Sequence, residues 1–394
     1  MGAIERIEKL AAEMTEWRRD IHMHPETAFE EHRTSELVAR RLESFGIAVH
    51  RGLGRTGVVG TLRAGSGARA IGLRADMDAL HILEQNTFAH RSRNDGRMHA
   101  CGHDGHTAML LGAAKVLAET RSFDGTVHFI FQPAEENEGG GRAMVEDGLF
   151  ERFPCESVYG MHNYPGMPMG KFGMRAGPMM ASFDIFEIEL RGRGSHAALP
   201  HTGIDPVLAG SHLVQALQSI VSRNVGPVDA GVVSVTQFHG GDTWNVIPDS
   251  VVLRGTARAF RPETQDLIER RVNEIAIGIA HTFGGEARVR YERRYPPLVN
   301  AARETALCAE VLGSMVGEKN VDAASEQVMG SEDFAFMLRE KPGCYVFIGN
   351  GGNAGPGGDG CSLHNPRYDF NDAILPLGAT YWVRLAEHLL AKGR

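Results

Sequence analysis

Hydrophobic patterning changes twice along the chain, and this change limits the folds that the sequence can adopt. Short apolar runs at 68–74, 126–131 and 157–161 are separated by segments with helical spacing of apolar residues. Two more helical segments, at about 3–22 and 31–45, come before the first strands. Strands that alternate with helices predict an α/β fold with a doubly wound, mainly parallel sheet.

A different order of elements occupies residues 182–293, where the pattern reads strand, helix, strand, strand, helix, strand. This βαββαβ order is typical of α+β ferredoxin-like domains, which are compact enough to be inserted into another domain. Segments that contain Gly and Pro flank it on both sides, as linkers do. We therefore expect a discontinuous domain at 1–181 and 294–394, interrupted by an inserted domain at 182–293, in a chain too long for one core.

Charge and apolar content exclude several classes of partner. The net charge is −8, and the lysines and arginines are scattered rather than clustered, which argues against a nucleic acid or an anionic membrane surface as partner. No stretch approaches the roughly 18 apolar residues of a membrane helix, and the N-terminal segment lacks a secretory pattern. We expect a cytoplasmic protein that acts on a small molecule. Its five cysteines are odd in number and widely spaced, which predicts reduced thiols.

The segment MHACGHDGHT concentrates possible metal ligands, because Cys101, His103 and His106 lie within six residues. A thiolate and an imidazole two residues apart cannot share a helix face, but a loop could direct both at one ion such as zinc. A histidine-rich surface loop beside a buried cysteine is the alternative interpretation. The segment alone does not decide between the two.

Further candidates follow other apolar runs. Glu135 and Glu136 come after TVHFIF, and in an extended chain they would point to opposite sides, one as a metal ligand and one as a general base. His162 ends SVYGM, and His364 follows a Gly-rich segment. The two glutamates and His162 each lie just past a predicted strand, at the edge where α/β sheets gather their ligands.

Several motifs follow one another along nearly the whole chain: RADMDAL, MHACGHDGHT, FQPAEE, GMHN, GRGSHAALPHTGIDP, NVIPD, GSEDF and LHNP. Together they resemble those of the aminoacylase and carboxypeptidase-type family of two-metal peptidases. The resemblance is to its branch of hippurate hydrolases and indole-acetyl-amino-acid hydrolases.

This resemblance implies two divalent metal ions, manganese or zinc, and a role for each candidate. Cys101 would bridge the ions and Glu135 would be the catalytic base. The remaining ligands would be His103, Glu136, His162 and His364. His99 and His106 flank the same segment, but the family pattern does not make them ligands.

The resemblance also assigns residues outside the ligand set. In the family the inserted domain mediates dimerisation, and its histidine, which matches His196, steadies the oxyanion. Asn245 and Arg258 match positions that could approach the substrate, Arg258 as a partner for its carboxylate. Asp78 belongs to an acidic pair with Asp76, one of which would orient a ligand. The chain departs from the family at His81, where Pro is usual, so the wall of the substrate pocket could differ there.

The expected function is metal-dependent hydrolysis of the amide bond of an N-acyl amino acid to a carboxylic acid and an amino acid, by a homodimer or higher homo-oligomer. Two alternatives stay open. One is a dipeptidase or carboxypeptidase on the same scaffold, and the other is a metal-binding protein without catalysis.

Overall fold

A computed structural model describes residues 2–136, 138–352 and 361–391 of the chain. Its strands are β1 (Ala48–Leu53), β2 (Gly57–Ala64), β3 (Ala70–Asp76), β4 (Gly125–Gln132), β5 (Ser157–Tyr164), β6 (Phe172–Gly173), β7 (Gly177–Met180), β8 (Phe183–Arg191), β9 (Ser195–His196), β10 (Gly231–His239), β11 (Val246–Ile247), β12 (Ser250–Ala259), β13 (Glu286–Tyr295), β14 (Leu298–Asn300), β15 (Val321–Asp322) and β16 (Gly343–Gly349). Its α-helices are α1 (Ala3–Met23), α2 (His32–Ser44), α3 (His103–Thr120), α4 (Gly140–Glu146), α5 (Leu149–Arg152), α6 (Pro206–Ser219), α7 (Pro262–Thr282), α8 (Ala302–Val316), α9 (Ala335–Glu340) and α10 (Leu375–Leu389). They divide between two compact units.

The first unit comprises 1–177, 299–326 and 333–394 and is built on an eight-stranded sheet. The strand order is β1-β2-β4-β3-β5-β16-β6-β15, and the neighbours β4, β3, β5 and β16 run parallel. The predicted α/β fold with a mainly parallel sheet is therefore confirmed. Because β16 lies beside β5, the segment that follows the second unit along the chain supplies a central strand of this sheet.

Burial explains why these central strands are continuous apolar runs. All seven residues of β16 are buried, and in β3 only the first residue is partly exposed, as expected of parallel strands covered on both faces. Helix α3 is also largely buried and packs against α1 and α10. Gly112 permits the close approach of α1, because a β-carbon there would lie 2.3 Å from the sulfur of Met14.

The second unit comprises 178–298 and 327–332. Its antiparallel sheet has the order β10-β12-β8-β13, with α6 and α7 packed against it, which is the predicted ferredoxin-like arrangement. Helix α6 begins as the sequence indicates: the Asp205 side chain accepts hydrogen bonds from the N–H groups of Val207 and Leu208, at 2.8 and 3.1 Å. The boundaries 182 and 293 remain our proposal for the inserted domain.

Two further properties concern membranes and thiols. Within the described residues, no helix combines the length and apolar character needed to cross a bilayer. All five cysteines lie in the described part of the chain and are free thiols, four of them buried.

Candidate metal centre

The candidate ligands meet where parallel strands of the large sheet end. Strand β3 ends at Asp76, and Glu135 and Glu136 follow the end of its neighbour β4. Strand β5 lies on the other side of β3 and contributes His162. This strand continues to Tyr164, so His162 lies within the strand rather than just past it, contrary to the prediction. The carboxyl ends of α/β strands are the usual position of a ligand site.

A tight turn brings Cys101 and His103 to the same place. His103 is the first residue of α3, and Gly102 before it has φ 98°, a left-handed conformation that favours glycine. A β-carbon at Gly102 would also lie 2.2 Å from the side-chain oxygen of Asn163. The chain reverses sharply here, so the thiol and the imidazole reach one cluster although they are only two residues apart.

The cluster contains all five predicted ligands and Glu135. One group of potential donor atoms within 4.8 Å of one another comes from Cys101, His103 and His162. A second such group comes from Cys101, Glu136 and His364. Cys101 belongs to both groups, and its sulfur lies 3.3 Å from Nε2 of His162. A thiolate, imidazoles and a carboxylate are ligands that suit divalent transition metals, so these residues can hold such ions.

Hydrogen bonds to Nδ1 orient two of the histidines towards the cluster. Nδ1 of His103 lies 3.0 Å from the carbonyl oxygen of Asp78 and 3.1 Å from its Oδ1. Nδ1 of His162 lies 2.7 Å from the carbonyl oxygen of Asn163. Metal-binding histidines are usually held in this way, with the other nitrogen facing the ion. Nε2 of His103 is buried and has no hydrogen-bond partner among the described residues, which fits a coordinating atom.

His106 is held differently, because both of its ring nitrogens are engaged. Nδ1 lies 2.6 Å from Oδ1 of Asp76, and Nε2 lies 2.7 Å from Oδ1 of Asn163. His106 is also close enough to Asp76 and His103 to form a third possible ligand group. The two short hydrogen bonds occupy its nitrogens, so we assign His106 to support of the site rather than to metal binding.

The cluster combines buried positive and negative charge. Burial, and next the carboxylate of Glu136, raise the pKa of the Cys101 thiol well above its ordinary value. Burial, and next the neighbouring His106, lower the pKa of His162 well below its ordinary value. Burial opposes protonation of His103 as well, but the carboxylates of Asp76 and Asp78 outweigh it and raise its pKa to about 10. The carboxylates that raise the pKa of Cys101 and of His103 favour positive charge beside these two residues.

Glu136 and His364 form a direct pair, with 3.1 Å between Oε1 and Nε2. Burial alone would raise the pKa of Glu136, but the hydrogen bond with His364 lowers it below its ordinary value. The backbone N–H of His364 donates to the carbonyl oxygen of Ala100 at 2.7 Å. That bond fastens the segment near the C-terminus beside Cys101.

Glu135 and Glu136 lie in a turn and not in the extended chain that the sequence suggested. Ala134 has φ 51°, which reverses the chain just before them. Both carboxylates therefore approach His103, within 4.8 Å of one another, instead of pointing to opposite sides. The N–H of Glu136 donates to Oδ2 of Asp78 at 2.9 Å, and Oε1 of Glu135 lies 3.4 Å from the N–H of Asp333.

A buried network under the cluster was missed by sequence reasoning. The guanidinium of Arg74 donates to Asp76 at 2.8 Å and to Asp333 at 3.1 Å. Gln132 donates to the same oxygen of Asp333 at 2.7 Å. Arg74, Gln132 and Asp333 stand in the motifs RADMDAL, FQPAEE and GSEDF, but nothing in these local patterns shows that the three side chains contact one another.

The second unit contains three candidate site residues, two of them close together at β9 and β11 and the third on β12. His196 and Asn245 come together, since β9 pairs with β11 and the N–H of Ala197 donates to the carbonyl oxygen of Asn245 at 2.9 Å. Arg258 lies on β12, with its guanidinium carbon 4.3 Å from the centre of the Phe183 ring. It also donates to Ser331 at 3.0 Å. Burial lowers the pKa of Arg258.

Comparison with known proteins agrees with this geometry. Residues 72–388 match the family described as peptidase family M20/M25/M40. The chain is 42% identical to a hippurate hydrolase from Campylobacter jejuni, over 98% of this chain and 99% of that protein. It is 39% identical to the IAA-amino acid hydrolase ILR1-like 4 from Arabidopsis thaliana, over 95% of this chain and 84% of that protein.

A solved structure of a member of the same family is also similar to this chain. A dinuclear metal-binding peptidase of the M20 family from Bacillus subtilis superposes with a TM-score of 0.84. Its sequence identity is 33%, and the match covers 97% of this chain and 99% of that one. The chain therefore belongs to peptidase family M20/M25/M40 and is an amidohydrolase.

Proposed function

We propose that the protein hydrolyses the amide bond of N-acyl amino acids with two divalent metal ions, manganese or zinc, and releases a carboxylic acid and an amino acid. In this proposal Cys101, which belongs to two groups of potential donors, would be the ligand common to both ions. The other ligands are His103, Glu136, His162 and His364. The names of the relatives support this substrate class, since hippurate and IAA-amino acids are both N-acyl amino acids.

One observation carries the proposal. Cys101 takes part in two donor groups, one with His103 and His162 and one with Glu136 and His364. A residue that belongs to two donor groups can be shared by two ions, as a two-metal site allows. Glu135 lies beside these ligands, so a general base is available at the same place.

The bound ions would polarise the attacking water and the amide carbonyl. The protein then has to move one proton and hold the developing charge. The carboxylate of Glu135 accepts a proton from the water and later delivers it to the departing amide nitrogen. Glu135 is 7% exposed, so little bulk water competes for that proton.

The second unit has a supporting role in the proposal. His196, paired through β9 with β11, donates to the oxyanion of the tetrahedral intermediate, and in a dimer it serves the partner subunit. Asn245 contacts the substrate beside it. Arg258 is the partner for the α-carboxylate of the amino acid, since a guanidinium binds a carboxylate in a bidentate manner.

The test is release of amine from benzoyl-glycine, acetyl and indole-acetyl amino acids and dipeptides. The enzyme is stripped by a chelator and reloaded with manganese or zinc. We expect cleavage of N-acyl amino acids to vanish with the metal and to return with it. A preference for dipeptides would favour the peptidase alternative. No cleavage of any compound at two bound ions per chain would refute the proposed function.

A further inference from the structure

The side chains of Cys101, His103, Glu135, Glu136, His162 and His364 are called the metal cluster below. A cavity of about 600 Å³ opens beside it within the first unit. Its walls include the ligand Glu136 together with Phe29, Arg55 and His81. The volume is that of a small-molecule site, and the proposed mechanism leaves the cavity without a role.

Arg55 is presented to this cavity by a tight and well-anchored turn between β1 and β2. Its φ is 79°, a left-handed conformation that costs energy for any residue with a β-carbon. Gly54 before it could not carry a side chain, because a β-carbon would lie 2.8 Å from Met144. The N–H of Gly54 donates to Asp147 at 3.1 Å. The turn is therefore fixed, so the backbone that carries the Arg55 side chain has a defined position beside the cavity.

The Arg55 guanidinium stacks on an aromatic ring and has no carboxylate partner among the described residues. Its carbon lies 4.2 Å from the centre of the Phe29 ring. Glu30, an acidic neighbour in the same cavity, pairs with Arg97 at 2.6 Å instead. A stacked guanidinium keeps its N–H edge free for a planar anion, so Arg55 is prepared for a carboxylate.

A single buried carboxylate connects this wall to the catalytic base. Oε1 of Glu31 accepts hydrogen bonds from the N–H of Phe29 at 3.0 Å and from the N–H of Ala134 at 2.9 Å. Its Oε2 accepts from the hydroxyl of Thr56, next to Arg55, at 2.5 Å. Glu31 is 0% exposed. The cavity and the turn that carries Glu135 are thus held to each other.

Backbone strain singles out the same place. The described residues other than glycine include five with positive φ: Phe29, Arg55, Arg121, Ala134 and His364. All except Arg121, which caps the end of α3, lie at the metal cluster or at this cavity. Strain of this kind persists where the surrounding structure holds a functional site in place.

We propose that this cavity is a subsite for a second carboxylate of the substrate, bound by Arg55. The inference rests on the proposed function, in which Arg258 takes the α-carboxylate. The second carboxylate has two possible sources: the side chain of an acidic amino acid, or the far end of a dicarboxylic acyl group. Both present the same planar anion to the guanidinium.

Matched acids and amides test the subsite and identify the source. N-acetyl-glutamate and N-acetyl-glutamine probe the side chain, while N-glutaryl-glycine and its terminal amide probe the acyl group. In Arg55→Gln we expect kcat/KM for the acid of one pair to fall roughly 10- to 100-fold, mainly through KM. The amide of that pair should stay within about twofold. Arg55→Lys should restore part of the loss.

Controls separate recognition from strain. Arg55→Gly suits the left-handed backbone and should show the same selective loss, while Arg63→Gln on the surface of β2 should show none. Equal changes for acid and amide in both pairs, or no change in either, would overturn the subsite.

A binding measurement keeps the subsite testable if the proposed function fails. Should the metal-loaded enzyme cleave no N-acyl compound, calorimetry with glutarate and its uncharged diamide decides. Tighter binding of glutarate by wild type than by Arg55→Gln, with equal binding of the diamide, supports the subsite. Equal binding of glutarate by both proteins would overturn it.

Discussion

The two units bury very different kinds of side chain. Around the metal cluster the first unit buries charged groups such as Arg74, Asp76 and His103, and it holds all five non-glycine residues of positive φ among the described residues. The core of the second unit is a set of aliphatic and aromatic side chains, and among its described residues only two carboxylates, Asp184 and Glu332, are buried. Buried charge and strain cost stability, so the first unit gives up more stability than the second.

Glu135→Gln should show the largest effect and separate activity from stability in the first unit. We expect kcat to fall by roughly 10² to 10⁴, because the proton transfer to and from water is lost while the ligands remain. Metal content by elemental analysis should stay unchanged. Glu151→Gln is the control, since Glu151 is exposed on α5 and belongs neither to the ligand groups nor to the cavity lining. Survival of activity in Glu135→Gln would show that another group is the base.

Leu253→Ala should lower stability, and it tests the core of the second unit. Leu253 lies on β12, is 0% exposed and belongs to the apolar core. Removing its side chain should lower the free energy of unfolding by about 2–5 kcal/mol, measured by denaturant titration. Thr236→Ala on an exposed part of β10 should change it by less than about 0.5 kcal/mol. A smaller loss at Leu253 would mean that this core is loosely packed.

Asp184 allows a test of buried charge in the second unit. It accepts hydrogen bonds from Tyr291 and Gln265, both at 2.7 Å, but burial outweighs them and raises its pKa to about 6. The folded protein therefore binds this proton more tightly than the unfolded chain. Its stabilising contribution is complete below pH ~4 and is lost as the pH rises to ~6, by at most about 1.4 kcal/mol per pH unit.

Asp184→Asn should remove this dependence, because the amide does not titrate. The measurement is the free energy of unfolding of both proteins at several pH values between about 4 and 7. The difference between them should change across this range. Parallel curves would show that Asp184 titrates as an ordinary surface carboxylate.

Ala134→Gly should have the smallest effect on stability, and it should stabilise the protein rather than destabilise it. Ala134 has φ 51°, so glycine relieves strain there, and the net change should be a gain of up to about 1 kcal/mol. Activity should fall, since the turn before Glu135 becomes less restricted. Ala12→Gly in helix α1 is the matched control and should lose about 0.5–1 kcal/mol. A loss at both positions would show that no strain is stored at Ala134.

Local patterns predicted the elements well, and the motifs contain the residues that the structure brings into one cluster. The alternation of strands and helices, and the βαββαβ order of the second unit, follow from periodicity alone. His103 and Glu136 could be named because they stand in dense motifs. Glu31 could not, because two of its three partners, Thr56 and Ala134, come from segments that are close to it only after folding. The conformation of Ala134 was also hidden, because the chain reverses at a residue that usually favours helix.

The contribution of β16 and His364 to the first unit has a consequence for synthesis. Cys101, His103, Glu136 and His162 leave the ribosome before the whole 178–298 segment, whereas β16 and His364 leave after it. A nascent chain therefore carries most of the proposed ligands for a long interval without the strand that completes their sheet. Under the proposed function, full metal affinity would arise only when synthesis has passed His364, so a loaded metal centre would mark a chain whose two separated halves have found each other.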